Sequence, residues 1–418
     1  MSPTLRTLRC VVCGADAALA HRTKCPSCGG ILDARYDGSP EAWRAAFVAA
    51  VRDATPGMWR WRATLPVPRH GTPVQLGEGD TPLIAAERPD AWGAVPGLRF
   101  KCETANPTGS FKDRPASVAL SMARAWGVPG VVTASSGNAG ASVAAYAARA
   151  GLPSVVLVPD DLPAGKASQI ALYGPILIAV RGHFSRAYDL ALDWAERSGW
   201  YDVTSTLLSA FPTEGNKTVA YELWRQAPRV PDWILIPVSS GPLLVGIAKG
   251  FAELRHAGLV DREPRLVAVQ AAGCAPIAAA YDAGRDEVDA WGDPETVASG
   301  IRDPLQGYAD DGTRTLEIAR RSGGSALAVD DDAILDAAEA MARYEGVAAE
   351  PTGAVAVAGA RRMIADGRIG REDTVVCLVT GHGLKDPAAY LDRSADPIPI
   401  DPEPAALTAA LATVGVLT

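Results

Sequence analysis

The chain has 418 residues, a net charge of −8 and a sequence pI of about 5.3. That length exceeds one typical core and suits two linked domains with a small appendage. The acidic balance excludes a whole-chain basic footprint for nucleic acid, and no apolar run reaches membrane-spanning length.

Met1–Arg9 is charged and no apolar stretch follows it, so no secretory signal is expected. Four of the seven cysteines cluster near the start, and Cys102, Cys274 and Cys377 are dispersed. This is no disulfide framework, and a reducing cytoplasm is the expected setting. Cys10-Val11-Val12-Cys13 and Cys25-Pro26-Ser27-Cys28 are two turns of the CxxC type, separated by eleven residues. Four thiolates so spaced suit tetrahedral ligation of one structural zinc, which leaves no open position for a substrate. Residues 1–36 are therefore expected to be a zinc ribbon, the alternative being a ribbon without its metal.

A helix is predicted around Glu41–Arg52, followed by a Trp- and Pro-rich connector over Trp59–Pro68. From there, apolar strands alternate with helices. The predicted strands are Leu98–Cys102, Gly130–Ala134, Ser154–Val158, Ile176–Val180, Trp233–Val238, Leu266–Gln270 and Thr374–Val379. Predicted helices include Ala116–Trp126 and Ala141–Ala150. Such alternation implies an α/β chain with parallel sheets covered on both faces. Asp396–Pro404 reads as a linker, and Ala405–Val416 as a packing helix.

Four motifs carry chemistry. In Asn106-Pro107-Thr108-Gly109-Ser110-Phe111-Lys112-Asp113, Pro107 and Gly109 break regular structure, placing Lys112 at a loop-to-helix junction with Pro115 in the first turn. Partial burial or nearby cationic charge would lower its pKa and make its amine a nucleophile. Alone, such a lysine is most often merely solvated. Ser135-Ser136-Gly137-Asn138-Ala139-Gly140 follows a strand and opens a helix, where a carboxylate would bind. The competing reading is a serine N-cap. Ser239-Ser240-Gly241-Pro242-Leu243-Leu244 joins strand to helix like a phosphate cup but lacks the lysine of a nucleotide-binding loop. In Thr380-Gly381-His382-Gly383-Leu384-Lys385-Asp386, the Thr380 hydroxyl suits a pyridine nitrogen, and His382 is read as structural.

These motifs, in this order, together with Leu76-Gly77-Glu78-Gly79-Asp80-Thr81-Pro82-Leu83, resemble the threonine synthase family of fold-type II pyridoxal phosphate (PLP) enzymes. The resemblance runs through nearly the whole chain. It implies a tryptophan synthase β-like α/β fold: two doubly wound three-layer domains behind the ribbon, with PLP in the cleft between them. The larger domain is expected over 37–115 and 225–418, and a smaller mobile one over 116–224. Lys112 would be the Schiff-base lysine and main proton carrier, and Asn138 would meet the PLP 3′-oxygen. Ser239, Ser240, Gly241, Pro242 and Leu243 would form the cup for the cofactor phosphate, Pro242 giving no N–H of its own. Thr380 would meet the pyridine nitrogen. Ser135, Ser136, Gly137 and Ala139 would lie against the substrate carboxylate, and Lys217 against a substrate phosphate. The family reaction is O-phosphohomoserine plus water to threonine plus phosphate, PLP acting as an electron sink. A homodimer and a small amino-acid substrate are implied.

Three positions depart from the family pattern. Pro212 stands where the family has an Arg that clamps the substrate phosphate, Ala139 replaces a Thr, and Pro242 removes an N–H from the cup. Glu350-Pro351-Thr352-Gly353-Ala354 is closer to dehydratases and β-replacement enzymes. Elimination or replacement at Cβ of a serine-, phosphoserine- or threonine-like substrate is therefore the second expectation.

Overall fold

A computed structural model describes residues 3–21, 23–67, 71–182, 184–393 and 396–414. The chain divides into two compact units, 1–386 and 387–418.

The first unit opens on an antiparallel sheet of β1 (Thr4–Cys10), β2 (Asp16–Ala17) and β3 (Leu32–Asp37), in the order β2-β1-β3. The two CxxC turns repeat one local geometry. Gly14 N–H donates to Cys10 O (3.1 Å) and Gly29 N–H to Cys25 O (2.9 Å). Both glycines have φ near +70°, which glycine adopts without steric cost. Ser39 then caps the helix Pro40–Arg52, accepting from Ala42 N–H at 3.3 Å. The expected Trp-rich connector is a packed 3₁₀ segment, Met58–Thr64, with Trp59 and Trp61 buried. Pro68 lies outside the described residues.

Two further sheets share the remaining strands. The chain lays down β4 (Leu83–Ala85) and β5 (Leu98–Cys102) and then leaves to build a second sheet. That sheet contains β6 (Val131–Ala134), β7 (Ser154–Pro159), β8 (Ile176–Val180) and β9 (Tyr201–Asp202), in the order β8-β7-β6-β9, all parallel. It returns to the first with β10 (Trp233–Pro237), β11 (Arg265–Ala271), β12 (Ser325–Val329) and β13 (Val375–Val379). The six-stranded order is β12-β11-β10-β13-β5-β4, with only β4 antiparallel. Strands β10 and β13 are buried along their full length, as parallel strands covered on both faces must be.

Between β5 and β10 the chain leaves the six-stranded sheet and builds the four-stranded one. The chain, however, parts after Asp386, before the expected linker over 396–404. The helix Pro404–Thr413 contains no buried residue. No described helix is long and apolar enough to cross a membrane.

Candidate active site

A cleft lies where strands of both sheets end at their carboxyl edges. Lys112 follows β5, Ser135 follows β6, Ser205 follows β9, Ser239 follows β10 and Thr380 follows β13, and all five line it. Parallel strands deliver their following loops to one edge, so distant segments meet there.

Lys112 immediately precedes the helix Asp113–Trp126. Its half-buried amine donates to Ser205 Oγ at 2.6 Å and stands 4.7 Å from the Phe111 ring centroid. Burial lowers its pKa to about 8, against the opposing pull of Asp303. A useful neutral fraction is therefore present near neutral pH. The loop is fixed from both sides. Phe111 N–H donates to Thr380 O (3.1 Å), and His382 N–H to Gly109 O (2.9 Å). Asp113 accepts from the amide and hydroxyl of Thr108, both at 2.7 Å.

Below the loop lies a buried charge network. Arg114 pairs with Glu103 (2.7 Å) and Glu222 (2.6 Å), and Lys101 also reaches Glu222 (2.6 Å). Two cations face two carboxylates, all four side chains without exposure. Removing one partner of such a set costs about 3–5 kcal/mol, because the others keep a buried charge uncompensated. This rigid footing orients the first turn that follows Lys112. The Leu76–Leu83 segment joins it: Glu78 accepts from Trp59 Nε1 (2.8 Å) and Tyr146 OH (2.6 Å), and Thr81 from Arg114 (3.2 Å).

Ser135 Oγ accepts from the Gly137 and Gly140 amides at 3.0 and 2.7 Å, so its side chain caps the helix Asn138–Ala150. Ser136 and Ala139 lie on the cleft wall beside it. Asn138 Nδ2 donates to Glu350 Oε1 at 2.5 Å. Glu350 in turn pairs with Lys166 at 2.9 Å, and Lys166 reaches Ser299 Oγ at 2.8 Å.

The loop after β10 turns at Gly241, whose φ is +110°. A Cβ there would lie 1.9 Å from Thr315 Oγ1, whose hydroxyl donates to Ser240 O at 2.7 Å. Only glycine fits this turn. Pro242 opens the helix Pro242–His256, leaving first-turn amides such as Leu243 N–H without an intrahelical acceptor. Ser239, Gly241, Pro242 and Leu243 line the cleft.

The buried polar atoms without a partner include Asn138 Oδ1 and Thr380 Oγ1 on the cleft lining and Ser240 Oγ in the adjoining loop. Buried polar groups are almost always paired, so a cluster of orphans marks where a polar ligand belongs. A pyridine ring bearing a hydroxyl and a phosphate offers partners of these kinds, and the residues fit it.

Lys217 is not brought to the cleft. Its buried ammonium pairs with Glu214 (2.7 Å) and Glu253 (2.9 Å) and lies 4.3 Å from the Tyr36 ring centroid. The expectation that it meets a substrate phosphate is thereby corrected: its charge is already neutralised by internal partners. Pro212 is buried in the short helix Ala210–Asn216 and does not line the cleft. His382 Nδ1 accepts from Leu384 N–H at 3.1 Å, the structural role expected of it.

Sequence reasoning missed Ser205 and Asp303. Ser205 sits in the short segment Val203–Thr206 after a two-residue strand, and Asp303 in an irregular loop, so neither carries a periodic signal. Away from the cleft, the Sγ atoms of Cys10, Cys13, Cys25 and Cys28 all lie within 4.8 Å of one another. Cys10–Cys28 is 3.5 Å and Cys13–Cys25 is 3.8 Å. Tetrahedral zinc with bonds of about 2.3 Å asks for sulfur separations of about 3.8 Å.

This arrangement has known relatives. The family model described as "Pyridoxal-phosphate dependent enzyme" matches residues 74–381. The threonine synthase of Methanosarcina acetivorans is 37% identical over 397 residues, covering 94% of this chain and 96% of that one. That of Mycobacterium tuberculosis is 39% identical, covering 82% of this chain and 92% of its own. Among solved structures, maize serine racemase is 27% identical with a TM-score of 0.64, covering 75% of this chain and 91% of that one. A fungal L-serine ammonia-lyase from Rhizomucor miehei shares the fold at 23% identity with a TM-score of 0.64, covering 75% and 96%. The chain belongs to the pyridoxal-phosphate dependent enzymes of fold type II, and within them to the threonine synthase family, whose members are lyases.

Proposed function

We propose that this enzyme converts O-phosphohomoserine and water into threonine and phosphate. The observation that carries the reading is the Lys112 amine, lowered to a pKa of about 8 in a cleft that also presents the unpartnered oxygens Asn138 Oδ1 and Thr380 Oγ1. The choice of substrate rests on likeness to threonine synthases along almost the whole chain. When bound, PLP supplies an electron sink for carbanions at Cα and Cβ.

Lys112 holds the cofactor and moves protons at the substrate carbons, Ser205 orienting its amine. Asn138, held by Glu350, meets the 3′-oxygen. Ser239, Ser240, Gly241 and Leu243 receive the cofactor phosphate, with Pro242 giving no amide and the serine hydroxyls compensating. Thr380 meets the pyridine nitrogen as a neutral hydroxyl. The substrate carboxylate lies against Ser136, Gly137 and Ala139, with Ser135 shaping that turn from behind. Residues 116–224 act as a mobile unit that closes over substrate and excludes water. The four N-terminal cysteines hold a structural zinc, and the enzyme works as a cytoplasmic homodimer.

A second reading is elimination or replacement at Cβ of a serine-, phosphoserine- or threonine-like amino acid. One observation favours it: among the described residues, Lys112 is the only cation lining the cleft. Pro212 supplies none, and Lys217 is sequestered. Phosphate release from O-phosphohomoserine and from phosphoserine, and 2-oxobutyrate formation from threonine, with product identification, separate the two. Threonine and phosphate from O-phosphohomoserine support the first reading. No phosphate release from it, alongside turnover of phosphoserine or threonine, supports the second.

A further inference from the structure

Among the described residues, the cleft lining contains one carboxylate, Asp303. Tyr308 OH and Leu305 N–H (3.1 Å) both donate to its Oδ1. No hydrogen bond involves Oδ2 among the described residues, and it is the oxygen left for a ligand. The support is built rather than incidental. Leu305 takes φ +57°, a conformation unfavourable for a residue with a branched side chain, and in doing so its amide reaches Asp303. The Tyr308 ring packs on Tyr188 with centroids 4.4 Å apart, and Cys274 Sγ bonds Asp303 O at 3.3 Å. Burial holds the carboxyl above its usual range. Glu350, the other acid nearby, is committed to Asn138 and Lys166.

We propose that Asp303 is a second catalytic acid–base, which carries the proton of the oxygen that joins or leaves substrate Cβ while Lys112 serves the carbons. The proposal rests on the reading above and names a residue for its hydration step. After phosphate has left, a water oxygen bonds to Cβ and its proton passes to the Asp303 carboxylate. The electron pair of the Cα–Cβ double bond withdraws to Cα, where Lys112 returns a proton. Asp303 then releases its proton to solvent. Run backwards, Asp303 protonates a departing hydroxyl, which leaves as water. The same residue therefore serves hydration and dehydration, and no oxidant or reductant is required.

The test uses holoenzyme and D303N, which keeps the shape and the Oδ1 acceptor. Deuterium wash-in at Cα of L-threonine in D₂O, followed by NMR on the pH plateau of each enzyme because Asp303 also raises the Lys112 pKa, reads Lys112 and stays within about threefold of wild type. Threonine formed per phosphate released from O-phosphohomoserine falls by at least about 10²-fold, the size of a general acid–base contribution. Phosphate release persists, with 2-oxobutyrate and ammonia replacing threonine. An unchanged ratio overturns the proposal, and so does parallel loss of Cα exchange and product. If wild-type enzyme releases no phosphate, the threonine synthase reading fails separately. Asp303 is then judged on L-threonine dehydration, which D303N must lose while keeping Cα exchange. Should D303N not fold, Tyr308→Phe removes one of the two donors to Oδ1, leaving Leu305 N–H, and must lower the same ratio, or the same dehydration, at unchanged Cα exchange. No change there overturns the assignment.

Discussion

The Phe111 amide donates to the Thr380 carbonyl at 3.1 Å, joining the loop that carries Lys112 to the turn that carries Thr380. The two segments are 269 residues apart in the chain, yet their side chains face one cleft. Each motif alone is compatible with ordinary loop structure. Their attachment gives the lysine and the hydroxyl a fixed separation, which a bound ring requires.

The first prediction concerns pH. Cofactor uptake by apoprotein requires a neutral Lys112 amine. Its rate rises about tenfold per pH unit below about 8 and levels above it. An ordinary lysine would level near about 10.4. Stopped-flow absorbance across that range checks it. Because the folded pKa lies below the unfolded one, the unfolded chain binds more protons between the two values, and Lys112 adds stability as pH rises through that window.

Thr380→Val tests the unpartnered hydroxyl. In the apoprotein Thr380 Oγ1 is buried without a partner, so the variant melts at the same temperature or higher. Affinity for PLP weakens about tenfold, or ~1.4 kcal/mol, as one hydrogen bond is lost. A lower apoprotein melting temperature at unchanged affinity would assign Thr380 to the fold rather than to the ligand.

For the cysteine cluster we predict one zinc per chain by elemental analysis. Cys13→Ser lowers that content, and chelation reduces the melting temperature by several degrees, on the order of a marginal structural site. Cofactor absorbance is unchanged, since the cluster is not part of the cleft.

Much of this was legible in the chain because parallel strands are apolar runs with sharp ends. Leu98–Cys102 and Ile176–Val180 coincide with their predicted bounds. Strand β12, Ser-Ala-Leu-Ala-Val, is not predicted because Ser and Ala dilute its apolar signal, although it pairs with β11 and is largely buried. Lys217 is placed against a substrate phosphate by the family resemblance, and a sequence displays a charge without its partners. Glu214, three residues earlier on the same helix face, was the available sign of pairing. Ser205 and Asp303 depend on where short loops land, which is decided by sheet order rather than by local pattern.

The most direct measurement is borohydride reduction of the holoenzyme followed by peptide mass spectrometry. Lys112 and Lys385 both have pKa values lowered to about 8 by burial, so the chain offers a real competitor. Lys385, however, donates to Thr108 O and Gln169 Oε1 and is not on the cleft lining. The account predicts a phosphopyridoxyl group on the peptide containing Lys112, and none in Lys112→Ala. A modification on Lys385 or Lys166, or a wild-type protein that carries none after incubation with PLP, would contradict it.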